Sequence, residues 1–276
     1  MRFAVPLKSA LIAVLLASPL AAGAATASKC DRLVATGGAN NPPFLWRDPQ
    51  NPKRLIGANA DVLKQIAELL DLKLDMLYTG DADKALEEVR SGRMDVLADA
   101  TLSVEKLTQL DYIHPSIAPL QMSAWVRSDP GFLYASRRDL SGHSGNYVVK
   151  TELGSDLSAY ATQHLNLVTA QNLAEAMQSL LNGKVDYVLH ERYSAVAQVG
   201  SLGLLNDVQR LEPPVSSRGM HLAVAHDSAC NGPWLRGQLA VKMTELREAG
   251  IPQQLLAENL ERWKQQQSAP ASDSPR

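Results

Sequence analysis

Apolar and polar positions along the chain alternate between the spacing of strands and the spacing of helices. An apolar run at Arg32–Thr36 has the length of a strand, and residues 59–70 repeat apolar side chains three or four positions apart, as an amphipathic helix does. Residues 72–76 alternate as a strand, residues 81–91 have helical spacing, and residues 94–97 form a short apolar run. This βαβαβ order predicts an α/β fold with a mostly parallel sheet covered by helices.

The stretch 92–106 joins the end of a helix, a buried strand and the start of another helix. Gly92 follows the helical run where a residue with positive φ is expected, and Ser103 is placed to cap a helix with Lys106 in its first turn. Ligands of open α/β sheets bind at the carboxyl ends of the strands. We therefore expect the mouth of a binding site at three consecutive residues: Asp99, Ala100 and Thr101.

The same pattern returns in residues 176–191, with helix, glycine, basic residue, aspartate and strand in the same order. This second copy delivers Glu191 to the carboxyl end of its strand. Two copies of one βα unit predict two similar lobes that present strand ends to a shared cleft. The aspartates that begin the two strands, Asp95 and Asp186, are expected to have a structural role.

Residues 154–156 open a further helix in the second half of the chain. The backbone N–H groups at the helix start after Gly154 can hold an anion or another polar group. The alternative is that Ser155 or Asp156 simply caps the helix.

A proline-rich loop after the first strand carries Asn41 and two aromatic residues, Phe44 and Trp46. The aromatic side chains either cover a ligand, as a lid or stacking wall, or anchor the loop in the core. The anchor interpretation is preferred for Phe44, and both interpretations stay open for Trp46.

Two later segments, 120–126 and 219–225, have strand character and are expected to cross between the lobes. We predict one lobe at 28–122 and 223–264 and the second lobe at 123–222. A polar, proline-bearing tail at 265–276 is predicted to be disordered.

Residues 1–27 have a basic start, an apolar run and small residues around two A-x-A sites, as secretory signal peptides do. The apolar run is too short to span a bilayer, and an amphipathic surface helix is the alternative. We therefore expect a soluble protein that is exported to the periplasm.

Charge and motifs narrow the functional classes. Lysine and arginine total 27 against 29 aspartate and glutamate residues, a net charge of −2, and no basic cluster alternates with aromatics, which argues against a nucleic-acid partner. No nucleophile triad, P-loop or metal motif occurs in the sequence, so we expect no catalytic residues, metal site or cofactor. We also expect the protein to be a monomer. Cys30 and Cys230 either form a disulfide in an oxidising compartment or stay separate thiols.

Four motifs in order resemble the family 3 solute-binding proteins, the periplasmic receptors of polar amino-acid ABC transporters. They are NPPFLW, IGANADVLKQIAELL, SGRMDVLADATLSVEKLTQLDYIHP and NGKVDYVLHE. The resemblance spans residues 33–263. It implies a two-lobe periplasmic-binding-protein fold of type II, with two crossover hinge strands and closure on the ligand.

The resemblance also implies a binding site. In amino-acid binders an arginine at the Lys106 position grips the ligand carboxylate, and a hydroxyl at the Thr101 position assists it. The helix start Gly154-Ser155-Asp156 resembles the carboxylate contact of the second lobe. Glu191 falls on the acidic acceptor of the α-ammonium group, and Asn41 falls where an aromatic often covers the ligand.

Two residues depart from the family pattern. Lys106 lacks the bidentate fork of arginine, and Asp99 brings an acid where the family usually has glycine or serine. Asp99, Asp156 and Glu191 together favour a cationic or polyamine-like ligand, while Lys106 still permits a carboxylate. In the plain structural alternatives, Lys106 is solvated, Asp99 caps a turn and Glu191 is a surface acid.

Three functions are compatible with these residues. The first is a binding protein that delivers a small polar solute, an amino acid or related amine, to an ABC permease. The second is a receptor that serves a membrane sensor. The third is a cyclohexadienyl dehydratase-like enzyme, which the fold also resembles, with Glu152 or Glu191 as its general acid. Turnover separates the third function from the other two, and we expect no catalysis.

Overall fold

The computed structural model describes Met1 and residues 30–268. The predicted signal peptide therefore lies outside the described residues, apart from Met1. The strands are β1 (Arg32–Thr36), β2 (Asn40–Asn41), β3 (Leu45–Arg47), β4 (Leu55–Ile56), β5 (Lys73–Met76), β6 (Val96–Thr101), β7 (Leu110–Tyr112), β8 (Ala118–Arg127), β9 (Ser144–Val148), β10 (Asn166–Ala170), β11 (Tyr187–Glu191), β12 (Val208–Arg210) and β13 (Ser216–Ala225). The α-helices are α1 (Ala58–Leu69), α2 (Ala82–Arg90), α3 (Val104–Leu107), α4 (Ser155–His164), α5 (Leu173–Leu181), α6 (Arg192–Ser201), α7 (Pro233–Glu248) and α8 (Ile251–Ser268).

One long sheet runs through the molecule in the order β10-β9-β11-β8-β13-β6-β1-β5, and a small sheet has the order β2-β3-β4. At one end β1 pairs in parallel with β5 and β6, and at the other end β9 pairs in parallel with β10 and β11. The long strands β8 and β13 lie between these parallel groups and are antiparallel to each other. This topology confirms the predicted α/β fold of two lobes joined by two crossover strands.

The crossover strands divide their pairing between the lobes. Residues 118–122 of β8 pair with residues 216–220 of β13. Beyond this shared segment, β8 continues alongside β11, and β13 continues alongside β6 and β7. Each strand therefore begins beside its partner and ends inside one lobe. The lobe limits 28–122 with 223–264 and 123–222 stay a prediction.

Apolar side chains form separate cores on the two sides of the crossover. The largest core packs α1, α7 and α8 against β1, β5, β6 and β13. In α1, Val62, Leu63, Ile66 and Ala67 are buried, which is the face that the three-and-four spacing predicted. The other side has its own cores around α5, α6 and the strands β8, β9 and β11. Such separate cores allow lobes to move as units.

The predicted repeat is present in the main-chain hydrogen bonds. Asp95 accepts a hydrogen bond from the Val34 N–H at 2.8 Å, which ties the residue before β6 to β1. Asp186 accepts one from the Ser144 N–H at 2.8 Å, which ties the residue before β11 to β9. The helix before each aspartate is followed by a glycine of positive φ: Gly92 (70°) and Gly183 (71°). Both aspartates thus have the expected structural role.

Several element limits differ from the sequence-based expectation. The strand expected at 94–97 lies at Val96–Thr101, so the expected site mouth belongs to the strand itself. The helix α6 was not predicted, because its serines, alanines and glycine give only a weak apolar pattern. The helix α8 continues to Ser268, so residues 265–268 are helical, and the rest of the predicted tail lies outside the described residues.

Among residues 30–268, none of the helices combines the length and the apolar composition that a membrane crossing requires.

A disulfide joins Cys30 and Cys230, which are 200 positions apart in sequence and have Cα atoms 5.2 Å apart. It links the segment just before β1 to the loop before α7. Because a cross-link over so many residues restricts the unfolded chain strongly, it stabilises the folded state even though it adds few contacts.

We predict that the double variant Cys30→Ser/Cys230→Ser loses about 2–5 kcal/mol of unfolding free energy, which urea denaturation measures. A reducing agent should lower the stability of the wild type by a similar amount and leave the variant unchanged. Equal stability of the oxidised wild type and the variant would contradict a stabilising disulfide.

Candidate functional site

The last residues of β6 present alternate side chains to opposite faces of the sheet. Asp99 and Thr101 point to one face, where other strand ends meet. Ala100 points to the other face and is buried beside Ala85 and Val89 of α2. The Ala100 side chain is therefore part of a core, and a contact of this residue with a ligand stays a prediction.

The start of α3 places Lys106 over the end of β6. As predicted, Ser103 caps this helix and accepts a hydrogen bond from the Lys106 N–H at 3.2 Å. The ammonium group of Lys106 lies back against the strand, where its Nζ donates to the Thr101 Oγ1 at 3.2 Å. The cation and the hydroxyl that the sequence singled out are thus brought together.

A carboxylate from the other lobe completes this group. Glu152 lies in the segment between β9 and α4, and its Oε1 is 2.7 Å from the Lys106 Nζ. Its Oε2 accepts hydrogen bonds from the Thr101 hydroxyl at 2.6 Å and from the Lys106 ammonium at 3.0 Å. We call Thr101, Lys106 and Glu152 the interlobe cluster. Its bonds join the two lobes at the carboxyl ends of their strands.

Further hydrogen bonds fix the main chain of two members of the cluster. The Tyr112 hydroxyl donates to the Thr101 carbonyl oxygen at 2.7 Å. The Arg218 guanidinium, on the crossover strand β13, donates to the Glu152 carbonyl oxygen. Gly154 has φ 79°, and a Cβ at this position would lie 2.9 Å from the Arg218 Cδ. Only glycine therefore suits both the backbone angle and the approach of this arginine.

The surroundings of the cluster favour the charged form of Glu152. The Lys106 side chain is 14% exposed, while the Glu152 side chain is 56% exposed. Burial raises the pKa of Glu152, but the hydrogen bonds from Lys106 and Thr101 outweigh burial, so that its pKa lies below the ordinary value. The carboxylate is therefore ionised at neutral pH and neutralises a largely buried ammonium.

Asp99 is turned toward the end of β1 and is partly buried. Its Oδ2 accepts a hydrogen bond from the Gly38 N–H at 2.9 Å, and its Oδ1 lies so near Gly37 that a Cβ there would be 2.7 Å away. Burial raises the pKa of Asp99 to about 6, although the Gly38 N–H and the Lys106 charge oppose this. Its proposed contact with a ligand stays a prediction.

Glu191, at the end of β11, caps α6. Its Oε2 accepts a hydrogen bond from the Ser194 N–H at 2.8 Å, while its Oε1 is buried without a hydrogen-bond partner. The residue is 8% exposed, and burial raises its pKa from 4.5 to about 7 against the opposing backbone hydrogen bonds. The structure thus shows a helix cap, and the predicted contact with an ammonium group stays a prediction.

Asn41 reaches the same helix from the first lobe. Its Oδ1 accepts a hydrogen bond from the Ser194 hydroxyl, so the predicted residues Asn41 and Glu191 bind the same serine. Beside them, the rings of Phe44 and Tyr193 meet edge to face with centroids 6.1 Å apart. These contacts form a second junction between the lobes, separate from the interlobe cluster.

Trp46 is buried under α8 and does not form an exposed wall for a ligand. It is 3% exposed, and its indole N–H donates to the Gln266 Oε1 of α8 at 2.9 Å. Its ring also meets Trp263 edge to face, and the Trp263 N–H donates to the Ser201 Oγ of α6 at 2.8 Å. Of the two interpretations of Trp46, its packing under α8 favours the core anchor, and a contact with a ligand stays a prediction.

The start of α4 is only partly as expected. Asp156 is exposed and pairs with Arg137 at 2.6 Å, and this hydrogen bond lowers the pKa of Asp156. Asp156 is thus a partner of Arg137 and not a member of the interlobe cluster. Ser155 is exposed, and α4 has no side-chain cap, so capping by either residue does not occur here.

Chemically, the interlobe cluster offers an ammonium and a hydroxyl to one carboxylate, which is a binding arrangement. Sequence reasoning missed Glu152 as a member of the cluster, since it was considered only as a general acid, and it did not consider Arg218, which holds the Glu152 backbone. In the described part of the chain, no three His, Cys, Asp or Glu side chains are grouped closely enough to hold a metal ion.

One family of known proteins matches a part of the chain. Residues 33–140 match the family of bacterial extracellular solute-binding proteins, family 3. This match confirms, over that segment, the resemblance seen in the sequence motifs. No curated protein matches the chain at a significant level.

Solved structures share the fold. An amino acid ABC transporter substrate-binding protein from Streptococcus pneumoniae, bound to L-arginine, is 20% identical, with 84% of this chain and 96% of that chain covered and a TM-score of 0.64. The ligand-binding core of GluR0 with L-glutamate is 19% identical, with coverages of 84% and 97% and a TM-score of 0.64. A histidine kinase sensor domain with similarity to periplasmic binding proteins is 20% identical, with coverages of 82% and 95% and a TM-score of 0.65. These likenesses confirm the two-lobe periplasmic-binding-protein fold.

The raised pKa of Glu191 generates a prediction about pH. Because the folded state holds the proton more tightly than the unfolded chain does, ionisation of Glu191 costs stability as the pH rises from about 4.5 to about 7. Relative to Glu191→Gln, which keeps a capping oxygen, the wild type should lose up to about 3 kcal/mol between pH 4.5 and pH 8.

Urea denaturation at a series of pH values measures this difference. The exposed residue Glu68 provides a matched control, since the profile of Glu68→Gln should parallel that of the wild type. If the unfolding free energies of the wild type and Glu191→Gln changed in parallel with pH, burial would not disfavour the ionised form of Glu191.

Proposed function

We propose that the chain is a periplasmic solute-binding protein that captures a small polar solute between its lobes and delivers it to an ABC permease. The observation that carries this proposal is the interlobe cluster, in which the Lys106 ammonium and the Thr101 hydroxyl converge on a carboxylate from the opposite lobe. The family match over residues 33–140 supports the same class of function and an extracellular location.

The donor set suits a solute with a carboxylate group. The distances from Lys106 and Thr101 to the carboxylate oxygens, 2.6–3.0 Å, are those of charge-assisted hydrogen bonds. A lysine supplies a point charge without the planar fork of arginine, so the site tolerates more than one carboxylate orientation. This is consistent with an amino acid or a related amine whose other groups set the specificity.

The opposite charge of such a solute has two candidate acceptors. Glu191 has an unpartnered carboxyl oxygen at the second junction, and Asp99 lies on the same strand face as Thr101. The L-arginine and L-glutamate bound by the two solved relatives carry both a carboxylate and an ammonium group. We propose the same zwitterionic class for this chain, with closure driven by contacts that exist only when both lobes touch the solute.

The second candidate function is that of a ligand-binding receptor that acts with a membrane sensor. The observation in its favour is that a histidine kinase sensor domain has this fold. A dehydratase needs a protonated general acid: the lowered pKa of Glu152 disfavours that form, whereas the raised pKa of Glu191 permits it, although Glu191 already serves as the cap of α6. We propose binding without turnover, because the interlobe cluster is an arrangement of donors around a carboxylate.

A thermal-shift screen tests the proposal. The mature protein is unfolded and refolded with its disulfide intact to remove bound solute, and is then heated with single amino acids, polyamines and prephenate. A solute that binds only the folded state should raise the melting temperature at saturating concentration. The solute should be recovered chemically unchanged, whereas formation of a new product would indicate the dehydratase.

Replacement of the cation tests the role of the cluster in the same assay. Lys106→Met should weaken binding of a carboxylate solute by about tenfold to a hundredfold, because it removes a charged hydrogen-bond donor. The control is Lys84→Met, which removes an exposed lysine of α2 and should leave the affinity unchanged. Equal affinities of Lys106→Met and the wild type would place the solute elsewhere.

A further inference from the structure

We infer that Glu152 is an internal ligand: its carboxylate occupies the site that Lys106 and Thr101 provide for a solute carboxylate, and a solute must displace it. The inference deepens the proposed function and rests on it in assigning this site to solute. In this arrangement, Glu152 competes with the solute for Lys106 and Thr101. The competition lowers the apparent affinity of the protein for its solute and favours solutes that carry a carboxylate.

The contacts of Glu152 are those of a bound carboxylate. Its two oxygens together receive three donor contacts, at 2.6, 2.7 and 3.0 Å, from the ammonium and hydroxyl groups of the first lobe. The sequence separation from Thr101 is 51 residues, and the bond crosses from one lobe to the other. Local chain geometry therefore does not impose this contact, and closure of the lobes makes it.

Glu152 is also free to leave. It lies in an irregular segment between β9 and α4, and its side chain is 56% exposed. Its backbone is held separately, by the hydrogen bond from Arg218 to its carbonyl oxygen. The carboxylate can thus swing toward solvent while the main chain, β9 and α4 stay in place.

Lys106, in contrast, cannot reach solvent as easily, since its side chain is only 14% exposed. An ammonium buried without a counter-charge is strongly unfavourable, so one carboxylate or another has to accompany Lys106 while the lobes are closed. The exchange of the Glu152 carboxylate for a solute carboxylate keeps this charge balanced. Displacement by a neutral solute or by a solute with only amino groups does not.

A second ion pair of the same segment serves as a matched control. Lys150 lies 3.4 Å from Asp81 and 3.2 Å from Asp83, both at the start of α2 in the first lobe. All three side chains are exposed, and exposed ion pairs contribute little. Asp83→Asn therefore removes a charge that faces the same segment across the cleft without touching the interlobe cluster.

Chemical rescue with acetate tests the inference without the physiological solute. Glu152→Ala should melt at a lower temperature than the wild type, and sodium acetate at tens of millimolar should restore part of the loss, compared with sodium chloride at equal ionic strength. The wild type and the double variant Glu152→Ala/Lys106→Met should not respond. Equal responses of all three proteins to acetate would overturn the inference.

Small-angle X-ray scattering of the solute-free proteins gives a second test. Glu152→Ala should have a larger radius of gyration than the wild type and Asp83→Asn, because the internal ligand no longer bridges the lobes. The isosteric variant Glu152→Gln controls for a folding defect of Glu152→Ala. It should also have a larger radius of gyration than the wild type. Unchanged dimensions in both Glu152 variants would overturn the inference.

Both readouts are independent of solute binding, so they separate the two proposals. Expansion and acetate rescue without any hit in the solute screen would support the internal ligand and count against the proposed function. If a carboxylate solute is found, its affinity for Glu152→Gln should exceed that for the wild type on the order of tenfold, because the competitor is gone. An affinity equal to or below that of the wild type would contradict displacement.

Discussion

A largely buried ammonium group at the end of a strand needs a negative partner, and the arrangement of both lobes around Lys106 follows from this need. The strand β6 brings Thr101 to the site, the cap of α3 turns Lys106 back over it, and the segment after β9 supplies Glu152. The partner comes from the other lobe, so charge balance and lobe closure are coupled. Under our proposal, a ligand that carries its own carboxylate can replace Glu152 as the partner of Lys106.

The remaining interlobe contacts lie around the cluster but do not supply a counter-charge for Lys106. Asn41 accepts a hydrogen bond from Ser194 at the second junction, and the Trp263 N–H of α8 donates to the Ser201 hydroxyl of α6. These groups are neutral, and the charged contact of Lys150 with Asp81 and Asp83 across the cleft is exposed, so opening separates all of them at modest cost. Under our proposal, a charged solute therefore changes the balance between open and closed forms mainly through the ion pair of the cluster.

Much of this structure was predictable because it is local. The repeated helix-glycine-aspartate-strand pattern gave the two lobes, and the capping pattern at Ser103 gave the position of Lys106. Glu152 was not recognised as its partner, because an acid in an irregular segment has no periodicity and meets Lys106 only through the three-dimensional closure of the chain. Trp46 was ambiguous for a related reason: a buried indole and a ligand-stacking indole have the same sequence pattern, and the packing of α8 favours the buried one.

A crystal structure of the protein with the solute identified by screening tests the central claim most directly. The claim predicts that the carboxylate of the solute lies on the Lys106 ammonium and the Thr101 hydroxyl, and that the Glu152 side chain has turned away from them. A solute bound elsewhere in the cleft, with Glu152 still paired to Lys106, would contradict the account.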